Sequence, residues 1–505
     1  MREWVLALSL ALAAGPGGGK FGHVSAGPWD LPLANPKTRS KHYIYIYQDR
    51  ATWIPIANAS LHPRDPNEVM EHSFNGGAGP LVDESAGMYH TDQYQLFNLM
   101  YHRALKDPRR TLDPNQATTF IIPYDLASDS AYYKKCGKSS GICYDFRRCP
   151  LAPSVESLLQ ASPYFRRKGG HDHLLVVGMN YAMDHYIGKP KCKALLAGTC
   201  QNCTKIAIDD YSYMFPGNEG ILVKGDHWHA VPFPGDFHWT RSVQRPFPWE
   251  NDNRTLLVSY VGSTRSYYNP ARRLRVSLVH FCEKHPRDCK HSSYGVEGTR
   301  HSFKVEGHSP LQLSAQSIFC FQPIGDLMTR KGLFDSLIQG CIPVTFDPLT
   351  AIVMYTWHWE EAFWKEVTIE FSHHPVAYRY LDPIASLREM LRVNGSEVRR
   401  KQALIRSRVF ELQYALDFEE EKWYQRTENG MEFTNSWPKE KDSGGNSVPQ
   451  RDAYGVIMDH MLGWHSGLEP DVRAGTVPEC WVNGVLNETL NRCVYPAPTP
   501  APTKR

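Results

Sequence analysis

Among 505 residues there is no Asp-x-Asp triplet, no His-Glu-x-x-His and no pair of Cys-x-x-Cys motifs. The first absence removes a common carboxylate cradle for a divalent ion beside a phosphorylated substrate. The second removes the helical histidine pair of zinc hydrolases. The third removes a four-cysteine zinc site, since Cys200-x-x-Cys203 stands alone. Net charge is scarce too: 56 basic against 53 acidic side chains leave +3. So small an excess gives no reason to expect nucleic acid or an anionic membrane surface as a partner. Long apolar runs are missing. The segment Trp4 to Ala14 lies between Met1-Arg2-Glu3 and a Gly/Pro stretch at 15–19. It is too short for a comfortable membrane span and fits a signal-peptide core, with a short signal anchor as the alternative.

What is present points to a large globular protein. The length exceeds one ordinary core and implies two or more domains. Thirteen Trp and 26 Tyr suit stacking on sugar rings, although large cores explain such aromatics equally well. Twelve cysteines fall into local clusters: Cys136/Cys143/Cys149, Cys192/Cys200/Cys203, Cys282/Cys289, Cys320/Cys341 and Cys480/Cys493. This reads as disulfides of an oxidising compartment with undetermined connectivity, or, for Cys320 and Cys341, as buried thiols. Sequons at Asn58, Asn202, Asn253, Asn394 and Asn487 agree with export.

Along the chain, apolar runs bounded by Gly and Pro predict strands at 43–47, 118–124, 173–178, 206–208, 221–223 and 256–262. Helical spacing predicts helices at 91–105 and 269–283. Asp382-Pro383 predicts a helix start and Asn394-Gly395 a stop, with a longer helix from Glu397 to Phe418. Alternation of strand and helix predicts α/β layering with parallel sheet.

The densest signal is Ser317–Trp357: a strand, a Pro/Gly loop, a short helix and a second strand. The loop holds Pro323, Gly325, Arg330 and Lys331, and the helix holds Asp335. Cations at a helix amino terminus oppose the helix dipole, which makes sense if an anion sits there. Asp335 could accept ribose hydroxyls. A second place of the same kind follows the 256–262 strand, where Gly262 and Arg265 precede a helix. Ordinary crossover turns are the alternative for both.

The block Phe319, Cys320, Gln322, Pro323, Gly325, Asp326, Thr329, Arg330, Phe334, Asp335, Ser336 and Gly340-Cys341-Ile342-Pro343-Val344 resembles the signature of the exostosin-like glycosyltransferases. It is most similar to their plant and algal, xyloglucan galactosyltransferase-like branch. Lys331 stands for the second Arg of that signature, and Thr345 for an aromatic. The Ala117–Tyr124, Gly170–His173 and Val231–Pro234 stretches resemble earlier blocks of the same family, with His171 in place of Arg or Lys.

The resemblance implies an α/β fold of GT-B type, two Rossmann-like domains facing a cleft, with a C-terminal extension. The expected divisions are a signal peptide or anchor plus linker at 1–40, an acceptor domain at 41–245 and a nucleotide-sugar domain at 246–395. A long helix at 396–427 and an extension at 428–505 with a Pro-rich tail follow. The activity implied is an inverting, metal-independent transfer from a UDP-sugar to a cell-wall polysaccharide or hydroxyproline-rich glycoprotein. No cofactor beyond the donor is expected. The setting is the secretory pathway, most naturally the Golgi lumen, with Golgi membrane association or secretion both open. Donor contacts are expected from Gly262, Arg265, Pro323, Gly325, Arg330, Lys331 and Asp335. The catalytic base is expected from the first domain: Asp172 or His173, with Asp226 behind them. His173 reads equally well as a structural histidine. Two other functions remain open. One is a carbohydrate-binding relative without catalysis. The other is a zinc hydrolase built on Asp226 and the pairs His171/His173 and His227/His229.

Overall fold

The computed structural model describes most of residues 43–416, residues 452–465, and the backbone of a few short strands further on. The main stretches outside the description are 1–42, 62–73, 179–189, 210–227, 240–253, 265–268, 293–309, 326–328, 417–423 and 466–484. The expected strand at 221–223, Asp226, His227 and Arg265 therefore lie outside the described residues.

Two parallel five-stranded sheets form the frame. The first holds β1 (Ile44–Ile46), β2 (Thr119–Ile121), β3 (His173–Val177), β4 (Thr204–Ala207) and β5 (Trp228–Ala230), paired in that order. The second holds β6 (Leu256–Val261), β7 (Cys289–Ser292), β8 (Ser317–Gln322), β9 (Ile342–Thr345) and β10 (Ile369–Glu370). Its order is β7-β6-β8-β9-β10. Four of these strands, β2, β3, β4 and β9, are buried along their whole length, as expected for sheet covered by helices on both faces. This is the pair of Rossmann-like layers of the GT-B type. The sequence missed β5, β7 and β10. Cys289-Lys290-His291-Ser292 has no apolar alternation, and the other two are very short.

Helices lie between the strands. α1 (Leu96–Leu105) starts later than expected, because Thr91 is drawn into other contacts and residues 92–95 form a turn. α2 (Ala152–Ala161) covers the first sheet. α3 (Asn269–Lys284) links β6 to β7, and α4 (Lys331–Ile338) links β8 to β9. α5 (Pro383–Arg408) opens as expected: the Asp382 carboxylate accepts from the N–H of Ile384 and Ala385, with Pro383 at the first position. Asn394 kinks this helix instead of ending it, and the helix stops at Arg408 rather than Phe418.

The return to the first half is made by a strap, 413–416, and by α6 (Ala453–His465). Leu416 N–H donates to Trp239 O, and Trp239 N–H to Gln413 Oε1. Arg103 of α1 pairs with the fully buried Asp452 at 2.8 Å, and Tyr454 donates to Asp107. Part of the C-terminal extension thus completes the first half's core. All of this belongs to one compact unit, Leu33–Arg505. Within it, four disulfides hold described cysteines: Cys149–Cys192, Cys200–Cys203, Cys282–Cys289 and Cys320–Cys341. The last joins the β8–α4–β9 unit across its own loop and replaces the buried-thiol alternative.

Candidate functional site

In the second sheet the chain begins at β6, steps to β7 on one flank and then crosses to β8 on the other. The gap between the carboxyl ends of β6 and β8 is the point where the winding reverses, where open α/β sheets receive ligands. Gly262 follows β6 there, and Pro323 follows β8. Arg330 bridges the two: its Nη2 donates to Val261 O at 2.7 Å and its Nη1 to Pro323 O at 3.4 Å. A side chain at Gly262 would place its Cβ 2.7 Å from Arg330 Nη2, and the residue has φ +154°. Glycine is what lets the guanidinium come this close.

A second guanidinium converges on the same loops. Arg275 of α3 is 8% exposed and donates from Nε to Ile324 O and from Nη1 to Ser263 O. Tyr260 donates to the same Ser263 carbonyl. Burial lowers the Arg330 guanidinium to about 10, helped by the like charge of Arg275 and opposed by Tyr260. Half-buried Arg330 at the amino terminus of α4 and buried Arg275, bonded to the neighbouring loops, together favour an anion. Arg275 was not identified from sequence, since an arginine within an amphipathic helix reads as solvated. Gly325 lies just beyond Ile324 and is buried.

Lys331 and Asp335 occupy a different place from the one expected. Lys331 Nζ lies 2.8 Å from Asp236 Oδ1 and 2.9 Å from Asp335 Oδ2. Asp335 Oδ1 accepts from the Asp236 N–H at 2.8 Å. Burial would lower the Lys331 ammonium, but the two carboxylates outweigh it and hold it above its ordinary value. Burial raises the Asp335 carboxyl, against the pull of Lys331. Asp236 belongs to the loop leaving β5, so this cluster ties the first half to the start of α4. Lys331 and Asp335, expected at the phosphate and the ribose, engage each other and Asp236 in this structure. Around the cluster, Asp236 also accepts from Thr91 N–H, His238 contacts Thr91 Oγ1 and Tyr414 O, and Tyr355 donates to Ile208 O beyond β4. Carboxyl ends of the first sheet therefore meet residues of the second half.

The expected base sits elsewhere. Asp172 and His173 open β3, at its amino end, away from the ends that meet the second half. Both are essentially unexposed. His173 Nδ1 faces Asp172 Oδ1 at 2.7 Å, its Nε2 faces Tyr47 OH at 2.8 Å, and Tyr47 OH meets Ser162 Oγ at 3.1 Å. The ring stacks on Phe120 at 4.8 Å. Burial lowers His173, over the opposing Asp172. Burial acts to raise Asp172, but its bond to His173 and the charges of Lys168 and Arg167 bring it below its ordinary value. A neutral imidazole donating to an ionised carboxylate satisfies both. Asp172 and His173, expected as the base or, for His173, as a structural histidine, form a buried network with Tyr47 and Ser162.

The zinc alternative loses its geometry where it is described. His171 lies in the turn before β3, not on the strand beside His173. His229 stacks on Trp357 at 3.9 Å, and Trp357 in turn on His460 of α6. Among the described residues no cluster of three His, Cys, Asp or Glu is arranged for a metal.

Residues 38–374 match the model of the Exostosin GT47 domain. Xyloglucan-specific galacturonosyltransferase 1 of Arabidopsis thaliana is 29% identical over 298 residues, covering 57% of this chain and 41% of that protein. Probable xyloglucan galactosyltransferase GT15 of the same plant is 26% identical over 335 residues, covering 63% of this chain and 65% of that protein. The chain therefore spans less than two thirds of the length of either relative. Among solved structures, the GtfA/B complex aligns with 10% identity and a TM-score of 0.30, over 55% of this chain and 59% of that one. The family match covers the two sheets and the crevice between β6 and β8, and the chain belongs to the Exostosin GT47 family.

Proposed function

We propose that this protein is an inverting glycosyltransferase that moves a sugar from a UDP-sugar to a plant cell-wall polysaccharide, with a hydroxyproline-rich glycoprotein as the other acceptor class. The observation that carries the reading is the convergence of Arg275 and Arg330 where the β6–β8 winding reverses. An acceptor hydroxyl oxygen attacks the anomeric carbon, the bond to the β-phosphate oxygen breaks, and UDP departs carrying the negative charge. The two guanidinium groups and the α4 amino terminus stabilise that charge, so the reaction is read as independent of a divalent ion. The hydroxyl proton passes to a base on the first half. Asp226, two residues before Trp228 in the sequence, keeps that place in the reading. Gly262, Pro323 and Gly325 shape the loops that receive the diphosphate, and Arg265, three residues after Gly262 in the sequence, keeps its expected donor contact.

The names of the relatives support xyloglucan as the first acceptor to try. The disulfides support the lumen of the secretory pathway, with the Golgi as the working site. No helix among the described residues is long and apolar enough to cross a membrane.

The test is UDP release from a panel of UDP-sugars, with purified protein and xyloglucan, alongside UDP binding by calorimetry. Release with one donor that disappears in Arg330→Ala supports the reading. Xyloglucan binding without any UDP binding would make the protein a carbohydrate-binding relative instead.

A further inference from the structure

Gln322 closes β8 directly beneath the crevice and is 5% exposed. Its amide is oriented by its neighbours. The Ser336 hydroxyl donates its one proton to Leu333 O at 2.9 Å, so it can only accept from Gln322. Gln322 Nε2 therefore faces Ser336 Oγ, at 3.1 Å. The Oε1 atom then points the other way, and it is buried with no hydrogen-bond partner among the described residues. A buried carbonyl oxygen left unpaired is costly and asks for an explanation.

The neighbourhood of Oε1 supplies one. Gly332, in the first turn of α4, has no side chain. A Cβ there would lie 3.3 Å from Gln322 Oε1, 3.3 Å from Arg330 Nη2 and 3.4 Å from Arg330 Nε. The glycine keeps open the gap between the Arg330 guanidinium and the Gln322 oxygen. One wall of the gap is a cation and the other a bare acceptor. A phosphate oxygen satisfies the first and repels the second. A hydroxyl satisfies the second.

We propose that Gln322 is a ligand-binding residue of the crevice, whose Oε1 accepts a hydrogen bond from a donor hydroxyl adjacent to the diphosphate held by Arg330. This rests on the reading of the crevice as a nucleotide-sugar site. The hydroxyl belongs to the ribose or to the transferred sugar, and the two are separable by experiment. Binding makes Arg330 turn from main-chain carbonyls toward phosphate, which uncovers Oε1.

The test uses the full chain, calorimetry, and the variants Gln322→Leu and Gln322→Met, with Arg330→Ala as control. Wild type binds UDP, and Arg330→Ala does not. A ribose contact makes Gln322→Leu bind UDP about tenfold more weakly, while 2′,3′-dideoxy-UDP binds wild type and variant alike. A sugar contact leaves UDP unchanged and weakens the productive UDP-sugar about tenfold. In either case the thermal midpoint of the variant changes little, because losing the Nε2–Ser336 bond is offset by removing the unpaired acceptor. Gln322→Met repeats the measurement if the leucine variant does not fold. If both ligands bind a folded variant as tightly as wild type, Gln322 touches neither hydroxyl and the inference is overturned. If wild type binds no UDP while Arg330→Ala folds normally, it is the donor-site reading that has failed.

Discussion

Lys331 Nζ and Asp236 Oδ1 stand 2.8 Å apart, joining the first turn of α4 to the loop that leaves β5. The pair links residues from different sheets, with side chains 18% and 8% exposed. Removing the ammonium leaves Asp236 and Asp335 facing each other with no cation between them. Lys331→Met is expected to lower the unfolding free energy by about 3 kcal/mol in urea titration. Lys331→Arg is expected to keep most of it. An unchanged midpoint in Lys331→Met would mean that the junction is held by its apolar contacts alone. Asp335→Ala belongs to the same class, and its loss of activity should track loss of fold.

Arg330 gives the opposite signature. Arg330→Ala removes two donors to main-chain carbonyls but keeps α4 and its core, so circular dichroism should stay native while UDP affinity falls at least a hundredfold. Gly262→Ala tests the same site without touching a charge. Its Cβ would collide with Arg330 Nη2 at 2.7 Å, and the guanidinium must move. A tenfold or greater loss of UDP affinity, about 1.4 kcal/mol or more, is expected by calorimetry. Wild-type affinity in Gly262→Ala would show that the loop at Gly262 bears on neither the diphosphate nor the arginine that binds it.

The parts of this protein legible in its sequence are those encoded locally. The β8–α4–β9 unit announces itself through two apolar runs, Pro323, Gly325 and a helical stripe within thirty or so residues. The Asp382-Pro383 cap is equally local. What could not be read is pairing across the chain. Asp236 and Lys331 lie far apart in sequence, and neither carries a sign of the other. Arg275 sits inside an ordinary amphipathic helix, and only the crossing of β6 and β8 turns it toward the crevice. The placement of His173 was closer to hand: as the first residue of an apolar run it had to stand at the amino end of its strand, the wrong end for catalysis in a parallel sheet.

That placement has its own consequence. Asp172→Asn should destabilise the protein by about 2–3 kcal/mol at neutral pH, because the ionised carboxylate holds His173 and Arg167. UDP affinity of the folded variant should stay at the wild-type value. The sign with pH follows from the lowered Asp172 pKa. Its contribution is complete above the unfolded carboxyl value, near 4, and is lost as pH falls through the folded one. The gap between wild type and variant should therefore close in acid. A selective loss of turnover at unchanged stability would restore Asp172 as a catalytic group.

Lys205 supplies a stability dependence of the same sign in a higher pH window. It is 0% exposed in β4, and among the described residues its Nζ donates only to main-chain oxygens, those of Gln201 and Cys203, beside the Trp228 ring. Burial lowers its ammonium to about 7, against about 10.4 in the unfolded chain. Between these two values the unfolded state binds a proton that the folded state has released, so stability rises with pH. The slope contributed by this one group approaches about 1.4 kcal/mol per pH unit in the middle of that range. Lys205→Met abolishes the titration and strands two carbonyls. Its stability relative to wild type should thus decline steadily from pH 7 to pH 10 in denaturant titrations at matched ionic strength. Parallel stability curves for the two proteins over that range would mean that Lys205 stays charged in the fold, with both carbonyl bonds strong enough to offset its burial.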